Sequence, residues 1–167
     1  MQRYFVKEKK ANILTLESSD VHHIKNLMRY KEGDKIECVY EENLYQCEII
    51  NPSSNQVQII SVKENTSIEK YPLTIAVGLV KEQKFDLIIQ KLTELGVKEI
   101  IPLKMERSVV KLGEEKIQKK QERWQKIAKE AAEQSKRTTI PKIYTPISIN
   151  KLSQLSYDNK FVCSTKR

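Results

Sequence analysis

The chain has 167 residues, 39% of them hydrophobic, enough for one domain or two small ones with a buried core. Its 30 basic and 22 acidic side chains leave a formal charge of +8, which suits a polyanionic partner, nucleic acid first, better than a small acidic metabolite. The opening MQRYFVKEKK has no apolar core of a signal peptide and no run reaches the length of a membrane span, so a cytoplasmic protein is expected.

Residues 1–70 read as short strands, RYFV, NILTL, DKIECVYE, LYQCEII and QVQIISV, parted by the turn-rich stretches KEGD and NPSSN. This is the pattern of a small β-barrel. One helix interrupts it over SSDVHHIKNLMRY, with Ser19 placed to cap it and Val21, Ile24, Leu27 and Met28 along one face. The polar stretch KENTSIEKYP, ending at Pro72, marks a boundary between domains spanning 1–70 and 71–167.

From Leu73 the rhythm changes. LTIAVGLV is a near-continuous apolar strand, and KFDLIIQKLTELG is a helix buried through Phe85, Ile88, Ile89, Leu92 and Leu95, closed by Gly96 before VKEIIPL. That is a βαβ unit, and it starts a parallel sheet. A long helix follows through ERWQKIAKEAAEQSKR, then a short strand near KIY, a helix over SINKLSQL and a last strand KFVC. On the long helix, Arg123, Glu130, Gln134 and Arg137 fall within an arc of roughly 60°. Ile117, Trp124, Ala128 and Ala131 form the neighbouring apolar stripe. The polar line is either a solvated face, since these residue types are good helix formers, or one edge of a site.

Charge separates the two halves. Residues 1–70 carry 10 basic and 11 acidic side chains, and residues 71–167 carry 20 and 11. Within the first half, residues 1–31 hold 7 basic against 3 acidic groups, so one edge, through Arg3, Lys25, Arg29 and Lys31, is expected to meet phosphate. In the second half Lys119, Lys120, Arg123 and Lys126 are the corresponding cations.

Several chemistries lack their parts. No G-x-G-x-x-G follows LTIAVGLV, and there is no P-loop. His22 and His23 are adjacent on a helix and point to different sides, which suits neither a metal pair nor a triad; one is expected to pack and one to be wet. Cys38, Cys47 and Cys163 are odd in number and show no C-x-x-C, so they indicate neither a disulfide framework nor a zinc site and are expected to be reduced and buried. What remains is binding alone, or a reaction whose difficult chemistry belongs to a cofactor.

QKLTELGVKEIIPL, ERSVVK and ERWQKIAKEAAEQSKRTTIP, together with RYFV and HHIKNLMRYKEGDKI near the start, resemble the bacterial 16S ribosomal RNA uridine N3-methyltransferases of the SPOUT class. The resemblance covers essentially the whole chain. It implies a PUA-like β-barrel followed by the first part of a trefoil-knotted α/β methyltransferase domain, S-adenosyl-L-methionine as cofactor, and 16S ribosomal RNA in the small ribosomal subunit as partner. It also implies a homodimer for a full-length member. In such families the cofactor loops and the knot, with a GPEGG-like turn, lie downstream of where this sequence ends at FVCSTKR. The resemblance therefore implies a chain truncated before the knot, with cofactor-binding residues beyond Arg167 and no stable dimer of its own.

On this resemblance the polar line of the long helix borders the target-base pocket. Uridine N3 must lose its imide proton before it attacks the sulfonium methyl. Arg137 or Arg107 would stabilise the anion, while Glu94 or Glu130 would orient an arginine or accept the proton through water, with Gln134 beside them. Alignment of nucleophile and donor would supply the larger share, up to roughly 7 to 11 kcal/mol. The rival reading is an RNA-binding or ribosome-associated protein without catalysis; an interaction protein using the apolar edge at Lys160 to Cys163 is a third.

Overall fold

The computed structural model describes residues 1–63, 72–105 and 114–163. The expected domain boundary at 70/71, the ERSVVK stretch with Arg107, and the last four residues lie outside them.

The first sheet has six strands: β1 (Arg3–Phe5), β2 (Glu8–Lys10), β3 (Ile13–Thr15), β4 (Lys35–Tyr40), β5 (Asn43–Ile49) and β6 (Gln56–Lys63). They pair in the order β1-β4-β5-β6-β3-β2, antiparallel except for β1 against β4. The two edge strands are consecutive in the chain and joined only by Val6 and Lys7, so the sheet must curl round its core. Yet no ladder joins β1 to β2. The expected closed barrel is therefore corrected to a curled, open sheet. Tyr4, Leu14, Ile36, Cys38, Cys47, Ile49 and Val57 point inward, and Ile24 plugs the core from the helical segment. The β4–β5 hairpin turns on Glu41 and Glu42, both in the left-handed region at φ 48° and 64°, as a turn matched to the strand twist requires.

The helical segment is α1 (Ser18–His22), continued by a π-helical turn, His23–Leu27. The wider turn breaks the 3.6-residue period, so Leu27 and Met28, expected on the apolar face, are 68% and 39% exposed. Ser19 does not cap this helix. Glu17 holds the cap position without a side-chain cap bond, because its carboxylate pairs with Lys7 and Lys129.

The second sheet is parallel, as the βαβ reading requires. Its strands are β7 (Thr74–Gly78), β8 (Glu99–Lys104), β9 (Lys142–Ile143) and β10 (Ile147–Ser148). β8 lies centrally, with β7 on one side and β9 and β10 in line on the other. The crossovers α2 (Glu82–Glu94) and α3 (Glu114–Gln134) pack on each other and on the sheet through Phe85, Ile89, Trp124, Ala128, Ile100 and Ile143; the Phe85 and Trp124 rings lie 4.8 Å apart. Gly96, at φ 84°, ends α2 in a Schellman motif, with Val97 N–H donating to Leu92 C=O at 3.1 Å and Gly96 N–H to Thr93 C=O at 2.9 Å. The turn strips Leu95 from the core, leaving it 75% exposed rather than buried as expected.

α3 ends in the same motif without a glycine. Lys136 takes the left-handed position at φ 60°, and Arg137 N–H donates to Ala132 C=O at 2.9 Å. Helix α4 (Ile149–Ser153) follows, capped by Ser148. The expected strand KFVC does not form: Phe161 and Val162 are 91% exposed, because an extended segment becomes a strand only when a neighbour takes its backbone hydrogen bonds.

Candidate functional site

Because α2 and α3 run antiparallel to the strands, the second sheet has two chemically different ends. At the strand C-termini lies a cleft of about 260 Å³ lined by Leu79, Val80, Lys81, Glu82, Phe85, Lys120 and Trp124. Its polar groups are mutually engaged. Lys120 Nζ lies 3.2 Å from Glu82 Oε1, while Arg123 pairs with Glu82 and with Asp86 Oδ2 at 2.5 Å. Glu82 is held below the usual carboxylate range by the Lys120 bond and by the Lys120 and Arg123 charges. Among the described residues, Asp86 Oδ1 is buried without a hydrogen-bond partner.

The opposite end gathers most of the candidates read from the polar line. The Arg137 guanidinium donates to the Glu94 carbonyl oxygen, from Nη2 at 2.7 Å and Nε at 3.2 Å, and so ties the end of α3 to the end of α2. Glu94 accepts from Lys91 at 2.8 Å, which lowers its carboxyl below the ordinary range. Gln134 and Glu130 are exposed, Glu130 at 4.0 Å from Lys126. Arg137, Glu94, Gln134 and Glu130 thus share one end of the helical layer, whereas β7 and β8 end at the other.

The first sheet docks on this same end of α3. Arg3, expected on a phosphate-binding edge, is instead 6% exposed. It faces its cross-strand neighbour Glu37 at 2.8 Å and also donates to the Lys136 and Arg137 carbonyls, the latter at 3.2 Å. That is a correction: a buried guanidinium is stable only when its donors are satisfied, and here they are taken by a carboxylate and by the orphan carbonyls of a helix end. Burial pushes the Glu37 carboxyl up, but bonds from Lys63 and Arg3 outweigh it and hold it below its usual value. Lys136 Nζ reaches the Met1 carbonyl at 2.5 Å, and burial lowers its ammonium from the ordinary value.

About two turns earlier on α3, Lys129 meets three carboxylates: Glu17 at 2.7 Å, Asp20 at 3.1 Å and Glu133 at 3.7 Å. Glu133 also accepts the Phe5 N–H at 3.3 Å. Burial pushes Glu133 up to about 7; Lys129 opposes this and Asp20 adds to it. Burial likewise raises Asp20 against the pull of Lys129. This cluster was missed in the sequence. Only the i,i+4 spacing of Lys129 and Glu133 was legible there, and nothing in it pointed to Glu17 and Asp20.

The remaining cations fall into two groups. Lys25, Arg29 and Lys31 around the π-turn are exposed, as are Lys119 and Lys126 on α3. Lys120 and Arg123 are engaged by Glu82 and Asp86, so their charge is largely matched locally. His22 and His23 divide as expected, His23 Nδ1 at 2.9 Å from the Tyr4 hydroxyl and His22 exposed beside Asn26. Cys38 and Cys47 are buried and free, but Cys163 is exposed. Among the described residues no helix is long and apolar enough to cross a membrane.

Comparison with known proteins gives this geometry a lineage. Residues 67–167 match the family model of an RNA methyltransferase domain, and residues 16–60 match that of an RNA methyltransferase PUA domain. The chain is 41% identical over 95% of its length to ribosomal RNA small subunit methyltransferase E of Bacillus subtilis. It is 36% identical over 91% to the protein of the same name in Mesomycoplasma hyopneumoniae. It spans 65% of the length of each of these relatives. Among solved structures, the Legionella pneumophila protein Lpg2936, assigned as a methyltransferase and solved with its cofactor SAM, superposes with a TM-score of 0.85 at 25% identity, covering 93% of this chain and 66% of that one. With the domain model alone matching more than half of its residues, the chain belongs to the RNA methyltransferase family whose members join a PUA domain to the methyltransferase domain.

Proposed function

We propose that the chain supplies the RNA-contacting sheet and the first part of the catalytic domain of an S-adenosyl-L-methionine-dependent methyltransferase of small-subunit ribosomal RNA, acting on N3 of a uridine in the 16S molecule. The observation that carries this reading is the 41% identity over 95% of the chain to the Bacillus subtilis small-subunit methyltransferase. The parallel βαβ layer fits it, since ligands of such sheets bind at the strand C-termini. The SAM bound to the Legionella pneumophila neighbour supports the cofactor.

Among the described residues, the cleft at the strand C-termini is small for a cofactor. The cleft after β7 holds about 260 Å³, below the roughly 300 Å³ at which small-molecule sites begin. Its carboxylate Glu82 is also already committed to Lys120 and Arg123. The same observation favours a second reading, RNA binding without catalysis by this chain alone. The base-side role of Arg137, Gln134, Glu130, Glu94 and Arg107 belongs to the first reading. Because the first four lie at the sheet end remote from the strand C-termini, they would serve a site completed by another copy in a homodimer. Lys25, Arg29, Lys31, Lys119 and Lys126 would hold the RNA backbone.

Binding of labelled SAM and methyl transfer to unmodified 16S RNA should be measured for this chain and for a version extended through its natural reading frame. The proposal expects both activities in the extended protein, with product methylated at uridine N3. An extended protein that binds RNA but neither binds SAM nor transfers methyl would establish the second reading.

A further inference from the structure

The π-helical turn His23–Leu27 sets an unusual surface. Leu27 and Met28, adjacent in the chain, are 68% and 39% exposed. An α-helical continuation would have carried Leu27 inward, one turn from the buried Ile24; the wider turn swings it out. Arg29, the residue after the helix C-cap Met28, takes the left-handed region at φ 54° that commonly ends a helix. Two adjacent apolar side chains left in water, rimmed by polar groups, mark an interaction site more than scattered ones do.

The surroundings are rigid. From below, Ile24 is locked in the core and the Tyr4 hydroxyl holds His23 Nδ1 at 2.9 Å, with the two rings edge-on. Asn26 Nδ2 donates to His22 Nδ1 at 2.9 Å, and Met28 N–H and Tyr30 N–H donate to the His23 and Ile24 carbonyls at 2.9 and 3.1 Å. The rim is basic: Lys25, Arg29 and Lys31 are exposed. Asp34 turns its carboxylate to the Lys31 N–H at 2.7 Å, and Glu32 is exposed.

We infer that this turn is an RNA-reading edge, at which Leu27 and Met28 seat an unstacked base while Lys25, Arg29 and Lys31 hold the flanking phosphates. The inference rests on the reading of the chain as part of an RNA methyltransferase and names how the first sheet meets its RNA. Two side chains cannot supply the roughly 800 Å² per partner of a stable protein interface. They match the face of one base, and three cations around them match a polyanion.

Fluorescence anisotropy with a short oligouridylate and with a fully paired RNA duplex tests this on the chain as it stands. Leu27→Ser with Met28→Ser, both at exposed positions, should weaken oligouridylate binding about ten-fold, through apolar area no longer covered by the base, and leave its salt dependence unchanged. Duplex binding should change by less than about two-fold, since paired bases offer no free face. Lys25→Gln with Lys31→Gln should instead weaken both RNAs and lower the log-log salt slope by roughly one unit for each phosphate that is no longer neutralised. Equal losses on both RNAs, an unchanged oligouridylate affinity, or a concentration-dependent self-association abolished by the serine pair would overturn it. Methyl transfer by the extended protein is a separate readout, so a non-binding edge and a non-methylating protein are distinguishable failures.

Discussion

Replacing Glu133 by glutamine isolates the proton that the interface between the first sheet and α3 binds. In the fold the Glu133 carboxyl is pushed by burial from an ordinary 4.5 up to about 7. The folded state therefore holds a proton that the unfolded chain has released, and stability on this account is full below about 4.5 and is lost as pH rises through about 7. At 1.36 kcal/mol per pH unit, the interval corresponds to at most roughly 3 to 4 kcal/mol. Lys129 at 3.7 Å shares in the ionised state, and Asp20, also raised by burial, contributes in the same direction. Glutamine keeps an acceptor for the Phe5 N–H and does not titrate. Urea unfolding followed by circular dichroism should show the wild-type chain losing stability between about pH 5 and about pH 8, with a shallower loss for Glu133→Gln and the larger difference at the alkaline end. Parallel pH profiles for the two proteins would refute the reasoning, because they would mean that Glu133 is ionised throughout and the cluster is solvated.

Arg3→Ala should cost about 3 kcal/mol in the same assay, since it leaves Glu37 buried with Lys63 alone and strips a donor from the carbonyls ending α3. Arg3→Lys should recover only part, because an ammonium cannot serve the carboxylate and two carbonyls with the reach of a guanidinium. Gly96→Ala should lose about 1 kcal/mol to strain at φ 84°, read as a lower urea midpoint with unchanged slope. Lys119→Gln with Lys126→Gln should flatten the salt dependence of RNA binding by roughly one log-log unit for each phosphate left unpaired, whereas Arg123→Gln, whose charge is matched by Glu82 and Asp86, should change it much less.

Local patterns carried far in this chain. The strand-forming runs DKIECVYE and LYQCEII, set off by turn-rich stretches, placed β4 and β5, and the near-continuous apolar run before the KFDLIIQKL helix announced a parallel βαβ unit. Gly96 marked the end of α2 because only a residue at home at positive φ closes a helix without strain. The same rule missed the end of α3, where Lys136 takes that position and its carbonyl is held by Arg3 from 133 residues away in the chain. The π-turn was hidden for a related reason. The apolar spacing of Val21, Ile24, Leu27 and Met28 is that of an α-helix, and it carries no trace of the core packing of Ile24 or the Tyr4–His23 bond that accompany the wider turn.

The sequence by itself determined the family, the parallel layer and its basic field, because these depend on motifs, hydrophobic period and composition, all of which are properties of neighbours in the chain. Only the tertiary structure decided which charges are available. It buried Arg3 against Glu37, gathered Glu17, Asp20 and Glu133 round Lys129, and turned Arg137 onto the Glu94 carbonyl. A side chain's charge is written in the sequence. Whether it faces water, a phosphate or a buried carboxylate depends on which distant backbone the fold brings beside it, since desolvation and pairing act through space over a few ångströms.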